Sequence, residues 1–176
     1  MTFRITGLSP EPFRPLFGLP DDELALRGAQ RMIADVSPGF PDRIGLEDVE
    51  PGAAVLLVNH VSMDKPTPYR ASHAVFVREQ AGPAFDAVGE VPKMLRRRLL
   101  SVRAFDAAGM MVDAAVVDGE AAEPLFARLL SVPAVAELHV HFARRGCYAA
   151  RVTRAYRPSR TISATMTNWA PGRPST

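Results

Sequence analysis

Apolar and polar residues alternate over several short stretches of this chain, which is typical of β-strands that bury one face. Phe3 and Ile5 alternate with polar neighbours at the start of the chain and predict a first strand over residues 2–6. Residues 53–60 are apolar almost throughout, which predicts a central strand buried on both sides. The same criteria predict further strands over residues 30–36, 42–46, 70–79, 100–105 and 110–117.

Residues 137–152 predict a β-hairpin, and we expect the rest of the chain to pack around it. Successive side chains of a strand point to opposite faces, so Glu137, His139 and His141 share one face of its first strand. The apolar residues between them share the other face. Gly146 can supply the positive φ that a short turn favours. Two imidazoles are therefore expected side by side.

Helices are fewer and shorter than strands. Acidic residues in the first turn and a terminal Gly28 predict a short helix over residues 20–28. Residues 93–99 predict a second short helix, and an apolar stripe from Leu125 to Leu130 predicts a third. Several strands follow one another without the helix that a parallel crossover requires. We therefore predict an α+β fold, a single domain with a mostly antiparallel sheet and two or three short helices.

The composition sets the size and the location of this domain. A chain of 176 residues with 47% hydrophobic content is large enough for one continuous core. We predict a single domain over residues 1–155 and a basic, Ser/Thr/Pro-rich, disordered tail over residues 156–176. No apolar run approaches the roughly 20 residues that span a bilayer, and the start lacks the layout of a signal peptide. We expect a cytoplasmic protein with no membrane contact.

The charge distribution argues against a nucleic-acid partner, although the pI is near 9.0. Residues 1–142 contain all 19 acidic residues and 14 of the 21 basic ones, whereas residues 143–176 contain seven arginines and no acidic residue. A nucleic-acid domain usually carries its basic residues across the folded surface. The body of this protein is mildly acidic, so we do not expect nucleic acid to bind it.

Histidines are the main candidates for chemistry, and His139 and His141 form an H-x-H pair. Such a pair can provide two ligands to a metal ion. A third ligand would come from His73, Glu137 or Cys147, but none of them has a diagnostic spacing, so we assign no metal and no cofactor. Cys147 is the only cysteine, which excludes an intramolecular disulfide and a four-cysteine zinc site.

Tyr69 and Arg70 precede His73 at the entrance of a predicted strand. Arginine offers a planar fork for a carboxylate or phosphate, and histidine can move a proton near neutral pH. We therefore predict a pocket for a small anionic molecule between residues 70–79 and the hairpin. Its predicted proton-transfer residues are His73, His139 and His141, and its predicted ligand-binding residues are Tyr69, Arg70 and Cys147.

Two other interpretations remain open for these residues. Cys147 could be a nucleophile activated by His141, but a lone cysteine in a strand is more often a small buried hydrophobe. The histidines could be structural, in which case the chain would be a non-catalytic interaction module whose basic tail engages a partner. The sequence contains neither a Gly-rich phosphate loop before a helix nor a G-x-S-x-G turn. Nucleotide-dependent kinases and α/β-hydrolases are therefore not expected.

Six stretches of the chain are similar to known sequences: Phe3–Leu8, Pro38–Pro41, Pro68–Glu79, Leu99–Asp106, His139–His141 and Gly146–Arg151. Because of these stretches, the chain resembles DUF1203, a bacterial family of uncharacterised proteins, over about residues 1–155. The family has no assigned function, so the resemblance implies no activity. Its members often have cysteine where this chain has Asp42 and asparagine where it has Phe142. The resemblance also implies that residues 156–176 extend beyond the domain.

Overall fold

The computed structural model describes residues 2–155, which form two antiparallel sheets and three α-helices. In chain order the strands are β1 (Thr2–Thr6), β2 (Gln30–Ile33), β3 (Ala54–Met63), β4 (Ala71–Arg78), β5 (Asp86–Val88), β6 (Leu99–Phe105), β7 (Met111–Asp118), β8 (Glu137–Phe142) and β9 (Tyr148–Ala155). The helices are α1 (Asp21–Leu26), α2 (Lys93–Arg96) and α3 (Ala122–Ser131). The larger sheet has the strand order β5-β1-β9-β8-β6-β7, and the smaller sheet has the order β2-β3-β4.

Helix α3 covers one face of the larger sheet. Phe126, Leu129 and Leu130 form its buried stripe, and the Phe126 ring meets the Phe3 ring edge to face at a centroid distance of 5.5 Å. Each fully buried side chain of this kind stabilises the fold by about 1.5–3 kcal/mol. Since a ten-residue helix is marginal in isolation, packing on the sheet holds α3 in place. The apolar face of β8 belongs to the same core: Leu138, Val140 and Phe142.

The smaller sheet packs on the opposite face of the larger one. Its inner face provides Leu56 and Val58 from β3 and Val75 and Val77 from β4. These side chains cluster with Tyr148, which is paired with His141 and therefore lies on the face of the larger sheet away from α3. The two sheets are joined by this second apolar cluster.

The predicted fold class is confirmed, since the chain is α+β with mostly antiparallel sheets and three helices. Most predicted elements are present with bounds shifted by a few residues. No strand or helix was predicted over residues 82–92, but they contain the short strand β5, whose backbone pairs with β1. No helix within residues 2–155 is both long and apolar enough to cross a bilayer. The predicted tail over residues 156–176 lies outside the described residues.

The strand predicted over residues 42–46 is wrong, because this segment forms a turn. The buried carboxylate of Asp42 accepts hydrogen bonds from the backbone N–H of Ile44 at 3.2 Å, Gly45 at 2.6 Å and Arg78 at 2.8 Å. Two of these donors are two and three residues ahead of the carboxylate, so the bonds curl the chain. The apolar alternation over residues 42–46 is typical of a strand, but the hydrogen bonds to the Asp42 carboxylate stabilise a turn instead.

Strand β3 is central in the smaller sheet, but it is buried on both faces only along its first half. Val55 and Leu56 are fully buried on opposite faces, whereas Asn59 is exposed and Val61 is 44% exposed. The last residue pair between β2 and β3 joins Gln30 to Leu57. Beyond that pair the β2 side of β3 has no strand neighbour within residues 2–155. The prediction of a strand buried throughout is therefore corrected.

Candidate functional site

Four histidines from two sheets meet where the sheets face each other. His139 and His141 project from β8, while His60 of β3 and His73 of β4 are cross-strand neighbours in the smaller sheet. The His73 and His141 rings lie 4.9 Å apart and the His139 and His141 rings 6.5 Å apart, measured between centroids. His139 and His141 are buried, and His60 and His73 are half-buried. We call these four residues the histidine cluster.

Tyr148 lies among the histidines. Its ring centroid is 5.5 Å from that of His60, 5.3 Å from that of His139 and 5.7 Å from that of His141. Burial raises the pKa of the Tyr148 phenol above its ordinary value, so the hydroxyl stays protonated at neutral pH. The cluster is consequently packed by aromatic contacts on its inner side and open only at its half-buried histidines.

His141 is held in one neutral tautomer. Its Nδ1 lies 3.2 Å from the carbonyl oxygen of Gly146. Because a carbonyl only accepts, Nδ1 carries the proton and Nε2 is left as an acceptor. Burial, together with the positive charge of Arg103, lowers the pKa of His141 to about 3. This imidazole is therefore neutral at physiological pH and presents a lone pair on Nε2.

His73 is also neutral, but water reaches it. Its Nδ1 lies 3.0 Å from the hydroxyl oxygen of Ser62 on the adjacent strand. Burial is the main cause that lowers the pKa of His73, and the charge of Arg103 adds to it. The pKa of His60 is lowered by burial as well. A neutral, accessible imidazole beside a cation can both accept and donate hydrogen bonds to an incoming molecule.

Glu137 forms the acidic end of the cluster. Its carboxylate lies 3.3 Å from His139 Nε2 and accepts a hydrogen bond from Arg151 Nε at 2.6 Å. The hydrogen bond from His139 is the largest cause that lowers the pKa of Glu137 to about 2. The carboxylate is therefore ionised and already has two partners.

Arg103 is the cation that faces the cluster, and the sequence did not single it out. It lies on β6 directly opposite His139 in the strand register, and it is half-buried. Within residues 2–155 its guanidinium makes neither a salt bridge nor a side-chain hydrogen bond, while its charge lowers the pKa of both His73 and His141. The signal available in the sequence was an arginine within an otherwise apolar strand. Arginine is rarely buried unless it is paired, so its presence there indicates a functional or structural contact.

The structure does not bring the other predicted ligand-binding residues into the cluster. Arg70 pairs with Asp64 at 2.6 Å, and both side chains are more than half exposed. Tyr69 stacks edge-on against Phe105 at 6.0 Å, and the Phe105 ring in turn lies 4.9 Å from the His139 ring. Tyr69 therefore stands one aromatic ring away from the histidines.

Cys147 is engaged elsewhere. Arg43, which is 2% exposed, donates a hydrogen bond to its sulfur at 3.1 Å. No hydrogen bond joins Cys147 to His141 among the described residues, since His141 Nδ1 contacts the Gly146 carbonyl instead. This arrangement does not provide the activated nucleophile considered from the sequence.

Metal binding was also considered from the sequence. Within residues 2–155, no three His, Cys, Asp or Glu side chains converge in a geometry that could hold a metal ion. The rings of the histidine cluster instead pack against one another and against Tyr148. The arrangement offers hydrogen-bond donors and acceptors beside one cation, which suits an anionic ligand.

Comparisons with known proteins give one match. The family model described as "Protein of unknown function (DUF1203)" matches residues 39–154. This range includes all four histidines, Arg103 and Tyr148. No curated protein and no solved structure matches the chain.

Proposed function

The chain belongs to the DUF1203 family, whose function is unknown, and from its own geometry we propose that it binds or transforms a small anionic molecule at the histidine cluster. In this proposal Arg103 holds the anion, and His73 provides the accessible proton donor or acceptor. His141 provides a neutral imidazole behind them, and His139 lies beside it. The single cysteine suits a reducing compartment, so the proposed location is the cytoplasm.

One observation carries the proposal: the Arg103 side chain is half-buried opposite His139, and its guanidinium has no ionic partner within residues 2–155. Every buried side-chain nitrogen or oxygen of the described residues has a hydrogen-bond partner, so the unpartnered nitrogens of Arg103 are exposed and available to an incoming anion. The carboxylate beside the cluster, Glu137, is already paired with His139 and Arg151. An external carboxylate or phosphate would complete the charge balance, and guanidinium pairs with these anions through two parallel hydrogen bonds.

His73 should make anion binding at the proposed site depend on pH. A bound anion beside His73 would raise the pKa of its imidazole, because a negative charge favours the protonated form. By linkage, the anion should bind more tightly as the pH is lowered and His73 becomes protonated in the complex. Arg70, which the sequence suggested for the anion contact, is exposed and paired with Asp64, so we assign that contact to Arg103.

A thermal-shift screen with inorganic phosphate, sulfate and acetate tests the proposal. A ligand at about 100 times its Kd stabilises a protein by about 2.7 kcal/mol, which corresponds to roughly 5–10 °C for a domain of this size. Arg103→Met should abolish the stabilisation. Arg97→Met is the matched control, because Arg97 is exposed at the end of α2 and its loss removes the same charge elsewhere. Equal stabilisation of the Arg103→Met variant would contradict the proposal.

The burial of His139 and His141, at 4% and 1% exposure, favours a second candidate function. Rings packed this closely can serve structure alone, as in a non-catalytic interaction module. In that case the basic segment 156–176 would engage a partner. Removing residues 156–176 should then abolish partner capture without changing the melting temperature. The anion screen should give no hit with any variant.

A further inference from the structure

A groove of about 370 Å³ lies on the smaller sheet, where β2 ends and leaves one side of β3 uncovered. Its walls come from three segments that are distant in sequence: Pro12, Phe13 and Leu16; Arg27, Gly28 and Ala29; and Val58, Asn59, His60 and Val61. This volume lies in the range of small-molecule sites. Of the histidine cluster, only His60 lines this groove, whereas Arg103 and His73 do not.

Most of the residues that line this groove are apolar, and polar atoms share its exposed surface with them. Phe13, Ala29 and Val58 are buried members of the cluster that joins the two sheets, so they form a fixed surface. Leu16 and Val61 are partly exposed at the rim. A ligand with an apolar or aromatic body would cover the area that Leu16 and Val61 still expose, and buried apolar area contributes about 25 cal/mol per Å².

The groove carries a positive charge. Among the described residues that line it, Arg27 alone carries a formal charge. Its partner within residues 2–155 is Glu23, one helical turn away at 4.0 Å, and both side chains are about half exposed. A pair at this distance and exposure is weak. The guanidinium is therefore free to turn towards an anion in the groove.

Polar groups at the inner end can orient a ligand. His60 lines the groove on one side, while its ring lies 6.4 Å from that of Phe13 and 5.5 Å from that of Tyr148. Its imidazole can donate or accept one hydrogen bond. Beyond Leu57 the backbone of β3 has no β2 partner in the described part of the chain, so further donors and acceptors border the groove.

We propose that this groove binds a small carboxylate with an apolar or aromatic body, with the carboxylate on Arg27 and the body against Phe13, Leu16 and Val61. Ligand and groove match in charge and in apolar surface. The proposal does not depend on the anion site at Arg103. His60 separates the two sites, so an occupant of the groove contacts the outer side of the histidine cluster.

Titration of the full-length, ¹⁵N-labelled protein with benzoate, followed by amide resonances, tests this inference. Benzoate should shift the amides of Gly28, Asn59 and Val61, which belong to residues that line the groove. Benzyl alcohol, which has the same ring without the charge, should bind at least tenfold more weakly, because a charge-assisted hydrogen bond is lost.

Single substitutions distinguish the groove at Arg27 from the anion site at Arg103. Arg27→Met should weaken benzoate binding at least tenfold. Arg14→Met is the matched control, since Arg14 is exposed nearby, pairs with Glu11 at 2.9 Å and does not line the groove. Arg103→Met should leave the benzoate-dependent shifts of Gly28, Asn59 and Val61 unchanged even where it abolishes stabilisation by phosphate. Absence of shifts at these amides, equal binding of benzyl alcohol, or unchanged binding by Arg27→Met would each overturn the proposal.

Discussion

Acidification from pH 7 to pH 5 should destabilise this protein because His141 cannot take up a proton in the folded state. Burial lowers its pKa from the ordinary 6.5 to about 3. In the unfolded chain a histidine with its ordinary pKa is largely protonated at pH 5, which lowers its free energy by about 2 kcal/mol. In the folded state the His141 imidazole stays neutral at pH 5, so protonation lowers the free energy of the folded state by almost nothing. The stabilisation by His141 is therefore complete above pH 6.5 and decreases as the pH falls towards 3.

The magnitude of about 2 kcal/mol depends little on the folded pKa of His141. At pH 5 any folded value below about 4 leaves the imidazole neutral, so the difference is set by the unfolded pKa. Glu137, whose pKa is lowered to about 2, contributes in a different window, because its contribution is lost as the pH falls below about 4.5. The interval from pH 7 to pH 5 thus reports mainly on histidines.

Urea unfolding followed by circular dichroism at pH 7 and pH 5, at constant salt, measures this effect. His141→Asn is the matched variant, because its amide can still donate to the Gly146 carbonyl and does not titrate. Wild type should lose about 2 kcal/mol more than the variant between the two pH values, or roughly 4–8 °C in melting temperature. His60 and His73 are common to both proteins and cancel. Identical pH dependence of wild type and variant would refute the reasoning.

Three substitutions test the packing, each by chemical denaturation. Gly119→Ala should cost about 1–3 kcal/mol, because its Cβ would lie 2.0 Å from the Leu95 carbonyl oxygen; an unchanged midpoint would exclude that contact. Phe126→Ala should cost about 3–5 kcal/mol, since the ring is fully buried beneath α3; a loss below 1 kcal/mol would contradict this packing. Asp48→Asn should cost about 2 kcal/mol by removing the charge that pairs with Arg98; a neutral result would mean that the pair is exposed in solution.

Arg103 illustrates why part of the site could not be found from the sequence. The alternation in β8 predicted that His139 and His141 share a face, and the structure places them so. The cation beside them is decided by the register of β6 on β8, which puts Arg103 opposite His139. Register joins residues 36 positions apart in the chain, so no local pattern specifies it. Arg70 seemed better placed only because it is close to His73 in sequence.

His60 and Tyr148 depend on tertiary structure in the same way. Each lies in a strand that the pattern predicted, but their proximity at 5.5 Å requires the smaller sheet to pack on the larger one. The turn at Asp42 shows the opposite failure, where a local pattern was misread. Its apolar alternation suggested a strand, while three hydrogen bonds to one carboxylate set the backbone.

The sequence by itself determined the α+β class, most of the strands and helices, and which side chains share a face of β8, because these follow from periods of two and 3.6 residues along the backbone. Only the tertiary structure decided that residues from β3, β4, β6, β8 and β9 meet around Tyr148 beside Arg103. Strand register and sheet packing are contacts between distant residues, and their energies depend on the whole core rather than on any one segment.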